Sequence, residues 1–378
     1  IQECVWKNNF MRNFLIKFII IAIIIRLVIY IIINQNFFTR EFDITYLSDT
    51  YSKSQYVLGP ASKNGIGDDG LYTFAGYYYL FQKGDVSAVN FEHPPLGKYL
   101  IGLSVLILKN ENLINIIYFV ILLIVTYRLG QMLLKDNLLS MISTGILATD
   151  PLFLDNLIRS LLDLPFTLFS TLAVYFFILG LQKPKYNYLS FVFWGAAFST
   201  RFFPFMVVIF CFLLAVTFLY KRENLRIFLL SSLIIPVIYL ISHISFFVYH
   251  PSLVEFLRHK KWMLSWFSGS KRIAGNIWIN IFTGYYLDTT GKLVRNEYWI
   301  ITISMMVTLA LLQIRRLKLK NIGMLIIYGI CLLYLIYLTF LTDGVAKFLM
   351  PIYPLLCILA VRNLNIFYSI IAAWKKKN

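Results

Sequence analysis

The chain has 378 residues, 35 Lys and Arg against 18 Asp and Glu, 59% hydrophobic residues and only 14% charge. With a mean hydropathy of +0.72, this composition excludes a soluble globular domain and makes lipid the main solvent. Cys4 stands in the leading tail and Cys211, Cys331 and Cys357 fall inside apolar runs. That distribution excludes a disulfide framework and a thiolate metal site.

A helix needs about 20 apolar residues to cross a bilayer. Runs of this kind are read at 13–33, 113–134, 138–154, 162–181, 187–203, 204–220, 227–248, 297–314, 322–341 and 348–372. They are continuous rather than alternating, so the expected fold is an all-α polytopic membrane protein of about ten transmembrane helices, not a barrel. The first run is too long for a signal-peptide core and lacks a small-residue cleavage site. It reads as a retained signal anchor, with residues 1–10, ahead of Met11, as an extension without assigned function.

Short-loop lysines and arginines set the orientation. With the N-terminus inside, the inner loops hold Lys135, Lys183, Lys185, Lys221, Arg222, Arg226, Arg315, Arg316, Lys318 and Lys320, and the tail holds Lys375, Lys376 and Lys377. Nearly the whole formal +17 then lies on one side, a topology signal that implies no nucleic acid. This assignment holds only if the run Leu96–Leu108, too short to span, stays at the outer surface as an interfacial or re-entrant helix.

The organisation is therefore a tail and first transmembrane helix (1–33), an extracytoplasmic catalytic loop with an interfacial helix (34–112), and a transmembrane bundle (113–248). A second large extracytoplasmic loop (249–296) and C-terminal transmembrane helices with a basic cytoplasmic tail (297–378) complete it. The two outer segments are longer than bundle connections need and hold most of the candidate chemistry.

Residues 68–98 contain Asp68-Asp69-Gly70-Leu71-Tyr72, Ala75, Leu80, Lys83-Gly84-Asp85 and then Glu92-His93-Pro94-Pro95-Leu96-Gly97-Lys98. This pattern resembles the first outer loop of the GT-C glycosyltransferases, in particular the protein O-mannosyltransferase and aminoarabinose-transferase group. There an acidic pair precedes a His-Pro-Pro-Leu-Gly-Lys string. Further matches are Asp150-Pro151-Leu152-Phe153 through Arg159 to Leu162-Asp163, Ser199-Thr200-Arg201, Trp262 to Trp266, and Lys347 to Pro354. The chain departs from the family in having Asp68-Asp69 where Asp-Glu is usual, and in a longer approach from the first span. Asp43 and Asp49 therefore stay open as rivals to Asp68.

The resemblance implies a GT-C bundle and an inverting transfer of a sugar, by default mannose, from a polyprenyl- or dolichyl-phosphate donor to a hydroxyl of a protein, glycan or lipid acceptor. The site would face the extracytoplasmic side of the cell membrane. In these terms Asp68 is the general base, and Asp69 orients the acceptor or a divalent cation, the one possible cofactor. His93, Lys98, Arg159, Arg201 and Lys347 meet the charge on the leaving phosphate. Asp49, Glu92 and Asp163 are supporting candidates. Arg26 joins them because an ionisable group inside a span is costly, and Asp43 or a lipid phosphate is its expected partner.

Plainer readings stand beside these. An Asp pair at a loop–helix junction also suits a cap, and each cation alone suits snorkelling to lipid phosphates. Glu92 suits a local cap on His93. Tyr77, Tyr78, Tyr79, Trp262, Trp266, Trp278 and Trp299 suit an interface belt. At the level of function, a transporter or flippase for a lipid-linked glycan and a non-catalytic scaffold are the alternatives. A transporter calls for ionisable groups along several spans, whereas Arg26 is nearly alone.

Overall fold

Hydrocarbon offers backbone groups no partner but each other, so apolar runs close into helices. All ten expected runs do so in the computed structural model, which describes residues 2–202, 204–268, 272–288, 290–312 and 321–375. The long α1 (Gln2–Ile33) leads to the short α2 (Gln35–Thr39), α3 (Ile44–Ser52) and α4 (Gln55–Leu58), then to α5 (Asp68–Phe81) and α6 (Leu96–Leu108). The bundle follows with α7 (Leu113–Leu134), α8 (Asn137–Thr149), the single turn α9 (Pro151–Asp155), α10 (Asp163–Gly180), α11 (Tyr186–Thr200) and α12 (Met206–Tyr220). The next apolar run is broken into α13 (Leu225–Ser232), α14 (Ile234–Ser242) and α15 (Ile244–Tyr249).

The segment after α15 folds as α16 (Leu253–Ser268), α17 (Asn276–Thr283) and an antiparallel hairpin of β1 (Tyr285–Leu287) and β2 (Leu293–Arg295), with Tyr285 opposite Arg295. The hairpin is an element that the sequence pattern does not lead one to expect. The chain ends with α18 (Ile301–Leu311), α19 (Ile322–Leu341), a 3₁₀ segment Ala346–Ile352 and α20 (Tyr353–Lys375). Arg315, Arg316, Lys318, Lys320, Lys376 and Lys377, used for the orientation, lie outside the described residues.

Among the described residues six helices are long and apolar enough to cross a bilayer. Four of the expected spans are shorter: α8, α11, α12 and α18 have 13, 15, 15 and 11 residues. The reason is visible at α8, which stops at Asp150-Pro151, where the Asp150 carboxylate accepts the Leu152 amide at 2.9 Å and starts α9 on a new axis. Tyr353 donates its hydroxyl to the other oxygen of Asp150 and so pins the start of α20 to this corner.

α10 runs through the centre of the core, with Leu164, Phe166, Leu168, Ala173 and Val174 all buried. α1 shows lipid an Ile-rich flank. Two ion pairs link elements that the charge pattern assigned to the same side. Arg12 meets Asp136 at 2.5 Å, both assigned inside, and Arg40 meets Glu111, both assigned outside.

α5 and α6 cross in direct backbone contact. A Cβ on Gly76 would stand 2.3 Å from the Lys98 carbonyl oxygen and 2.8 Å from the Gly102 nitrogen, and one on Gly102 would stand 2.4 Å from the Gly76 oxygen. Gly97, in the Pro-Pro-Leu-Gly-Lys string, is equally confined, since a Cβ there would meet Leu162 at 2.6 Å and Thr200 at 2.8 Å. The exposed Leu103, Leu106 and Ile107 leave α6 an apolar outer face that suits the interfacial placement.

Because the obstructing atoms at Gly76 are backbone, Gly76→Ala should cost about 3 kcal/mol or more, beyond ordinary overpacking. The measurement is thermal unfolding in detergent, with Gly65→Ala, whose nearest neighbour is a side-chain atom at 3.6 Å, as the comparison expected to change little.

Candidate functional site

Asp68 opens α5, but it does not cap it: the N-cap position is Gly67, which has no side chain. Its Oδ2 accepts Lys347 Nζ at 3.1 Å. Lys347 comes from the 3₁₀ segment before α20, so the two charges are joined across almost the whole chain. Behind the pair lies a cavity of about 450 Å³ walled by Asp68, Tyr72, His93, Arg201 and Lys347, with Phe202, Tyr334, Tyr337 and Phe348 supplying apolar surface.

Three of the five expected phosphate-binding residues therefore share one cavity with Asp68. His93 Nδ1 accepts the Phe202 amide at 3.4 Å, which leaves Nε2 to carry the proton. Burial first, then the charges of Arg201, Lys98 and Lys347, hold its pKa well below the usual value of 6.5. Arg201, at the C-cap of α11, forms a buried ion pair with Asp163 in the first turn of α10 and lies 5.1 Å over the Phe348 ring. Asp163 thereby neutralises and orients Arg201.

Lys98 does not join them, and here the expectation is corrected. Its side chain is fully buried. Its ammonium donates to the Asn90 carbonyl oxygen, to Asn90 Oδ1 at 3.1 Å and to the His93 carbonyl oxygen at 2.7 Å. All three donors are spent on the 90–93 loop, and burial pushes the ammonium pKa down to about 7. Glu92 is buried beside it and accepts Asn90 Nδ2 at 2.7 Å. Desolvation raises its carboxyl above the usual range. These residues shape the loop that presents His93. Among the described residues no group of three His, Cys, Asp or Glu suits a metal ion.

Arg159 lines a second cavity of about 390 Å³ that also touches Asp68, Asp69, Lys347 and the β2 residue Arg295. Its Nε meets Asp155 Oδ2 at 2.9 Å. The rivals to Asp68 are engaged locally. Asp49 is exposed and pairs with Lys53 at 2.6 Å, while Asp43 caps α3 by accepting the Tyr46 amide at 3.0 Å. With Asp43 so used, the expected Arg26–Asp43 partnership is not formed, and Arg26 lies exposed on the flank of α1. Arg272 and Asp343 also line the Asp68 cavity, beyond the residues the motifs single out. Asp343 stands four residues before Lys347, and its burial, which raises its carboxyl pKa, has no mark in the sequence.

Two measurements follow from this geometry. Asp163→Asn leaves Arg201 buried without its counter-charge and should destabilise the protein by about 3–5 kcal/mol, read as a drop in thermal midpoint. His93 is held neutral in the fold, so below its ordinary value of 6.5 the unfolded chain binds more protons than the folded one, and stability falls as pH falls. His93→Gln should remove part of the loss of thermal midpoint between about pH 7 and pH 5.

Residues 92–253, less than half of the chain, match the profile of the family described as Dolichyl-phosphate-mannose-protein mannosyltransferase. No curated protein matches in sequence. Among solved structures, ArnT from Cupriavidus metallidurans aligns with a TM-score of 0.58 and 13% identity in the apo state, over 79% of this chain and 55% of that one. The same protein bound to undecaprenyl phosphate aligns with a TM-score of 0.58 and 13% identity over 82% of this chain and 59% of that one. The chain thus spans less than two thirds of the ArnT length. In fold the chain is an all-α, GT-C-type polytopic membrane protein, and its residues 92–253 are similar to the mannosyltransferase family that the His-Pro-Pro-Leu-Gly-Lys string resembles.

Proposed function

We propose that the chain is an inverting glycosyltransferase that moves a sugar, mannose in the first instance, from a polyprenyl-phosphate donor to an acceptor hydroxyl at the extracytoplasmic face of the membrane. The observation that carries the reading is one carboxylate, Asp68, set at the junction of two cavities, with Lys347, Arg201 and His93 around the first.

In this reading the donor phosphate lies in the first cavity, its charge met by Lys347 and Arg201 and by the Nε2–H of neutral His93. The aromatic wall of Phe202, Tyr334, Tyr337 and Phe348 suits the first isoprene units. ArnT, of the same fold, has been solved with undecaprenyl phosphate, which supports a lipid of this class. The acceptor hydroxyl enters from the second cavity and attacks the anomeric carbon opposite the phosphate. Asp68 takes its proton, and the C–O bond to phosphate breaks with its electron pair on the phosphate oxygen. One base on the face opposite the leaving group suffices for inversion. The Lys347 ammonium now held by Asp68 turns to the donor phosphate as it arrives, which frees an Asp68 oxygen for the acceptor.

The test is release of polyprenyl phosphate from radiolabelled polyprenyl-phosphate mannose by the purified protein with peptide, glycan and lipid acceptors. Asp68→Asn should lower turnover by about 10²- to 10⁴-fold, with donor binding retained, while Asp49→Asn and Asp43→Asn stay within a few-fold of wild type. Loss at Asp49 or Asp43 with Asp68→Asn active would overturn the assignment of the base. A native protein that binds the lipid and never releases polyprenyl phosphate would put the transporter or scaffold reading in its place.

A further inference from the structure

The hairpin of β1 and β2 has two outer edges, and the chain treats them differently. The Asn296 amide donates to the Gly284 carbonyl at 2.7 Å, and the Asp288 amide donates to the Lys292 carbonyl at 2.9 Å. An antiparallel ladder bonds every second pair. Tyr286 and Val294, midway between those two pairs, therefore face each other, and the backbone groups of Tyr285 and Leu287 on β1 and of Leu293 and Arg295 on β2 turn outward.

On β1 the outward groups are used. The Asn276 carboxamide takes both sides of Leu287, its Oδ1 accepting the amide at 2.8 Å and its Nδ2 donating to the carbonyl at 2.8 Å. The Tyr285 amide donates to Thr283 Oγ1 at 3.2 Å. On β2 the outward N–H and C=O groups of Leu293 and Arg295 have no hydrogen-bond partner among the described residues, and both residues are exposed.

Proteins commonly cover or blunt a strand edge that faces solvent, as Asn276 covers β1. The open edge belongs to the strand beside the candidate site. Val294, Arg295 and Asn296 line the second cavity together with Asp68 and Asp69, and so does Tyr286. Tyr286 and Val294 stand directly opposite each other, so this cavity lies against one face of the hairpin. A strand added along β2 would set every second side chain on that same face. The free groups also select the partner. Donors and acceptors alternating along an extended edge are matched by another extended backbone, whereas a glycan or a lipid headgroup has no such repeat.

We infer that β2 docks an extended polypeptide as a third strand, with a Ser or Thr hydroxyl on the cavity side of that strand set toward Asp68. The inference rests on the transferase reading for its purpose and names a polypeptide as the acceptor, while the docking itself needs no sugar transfer.

The experiment is fluorescence anisotropy of a labelled peptide, Lys-Val-Thr-Val-Thr-Val-Lys, titrated with the full chain in neutral detergent without donor, beside the same peptide N-methylated at its backbone amides. The expected result is binding of the first peptide and weaker binding, by about tenfold or more, of the second, which keeps every side chain and loses its amide donors. Arg295→Pro deletes one outward N–H and none of the bonds to β1. It should weaken binding by roughly three- to tenfold relative to Arg295→Ala, which keeps that N–H. Equal affinity for the two peptides, no binding of either, or equal binding by the two variants overturns the inference. So does a native chain that light scattering shows as a dimer when Arg295→Pro is a monomer, which gives the edge to a second copy. Should Arg295→Pro fail to fold, the N-methylated peptide decides. Transfer to a glycan or lipid acceptor without peptide binding removes this inference and leaves the transferase reading standing. Peptide binding without release of polyprenyl phosphate to any acceptor does the reverse.

Discussion

At Gly76 and Gly102 the backbones of α5 and α6 touch with no room for a single side-chain carbon, and the candidate site is assembled around that contact. α5 carries Asp68 at its first turn, and α6 is preceded by the loop that carries His93. Close approach fixes the distance between the two loops far more tightly than interdigitated side chains would, because backbone cannot change rotamer. Gly97 extends the constraint, since its missing side chain lets α6 sit against Leu162 and Thr200, one residue short of Asp163 and Arg201. The acidic loop, the histidine loop and the Arg201 ion pair are thus placed by three glycines in succession.

Around this frame the charges divide by mobility. Arg201 is committed to Asp163 in a buried pair, so it contributes a fixed field and loses little order when an anion binds. Lys98 is committed to loop carbonyls and acts through the shape of the loop. Lys347 is partly exposed, as is its partner Asp68, and exposed pairs of this kind are weak enough to exchange. The donor-phosphate site proposed above would use both kinds of cation. Fixed ones pre-organise the field, and an exchangeable one lets the carboxylate be occupied before the phosphate arrives and released afterwards.

Much of this was legible in the sequence. Continuous apolar runs pointed to an all-α membrane fold, and the His-Pro-Pro-Leu-Gly-Lys string pointed to the loop whose His93 borders the cavity. Residue type announces a charge but not its direction, and Lys98 shows the limit. It lies three residues after Pro95, within the first turn of α6, and only the fold of residues 90–93 over it decides that it faces inward. Arg272 and Asp343 were invisible for a related reason, as each reaches the cavity from a connection whose path depends on tertiary packing. The hairpin did leave a trace, because Asp288-Thr289-Thr290-Gly291 stands between Tyr-Tyr-Leu and Leu-Val-Arg. Asp288 Oδ1 accepts the amides of Thr290 at 2.8 Å and Lys292 at 2.9 Å, as an Asx-type turn would. The strands are too short for alternation to reveal them.

The lengths of the bundle helices explain where the cavity had to form. At 1.5 Å per residue, α8 and α11 rise about 20 Å and 22 Å, against a hydrocarbon thickness of about 30 Å. Both stop at charged residues, Asp150 and Arg201, and α10 starts at a third, Asp163. The bundle is cut short at these termini, and Arg201 at the end of α11, Asp68 of α5 and Lys347 of the 3₁₀ segment line the cavity together. In the proposed function this recess would take the polar headgroup of an isoprenoid lipid.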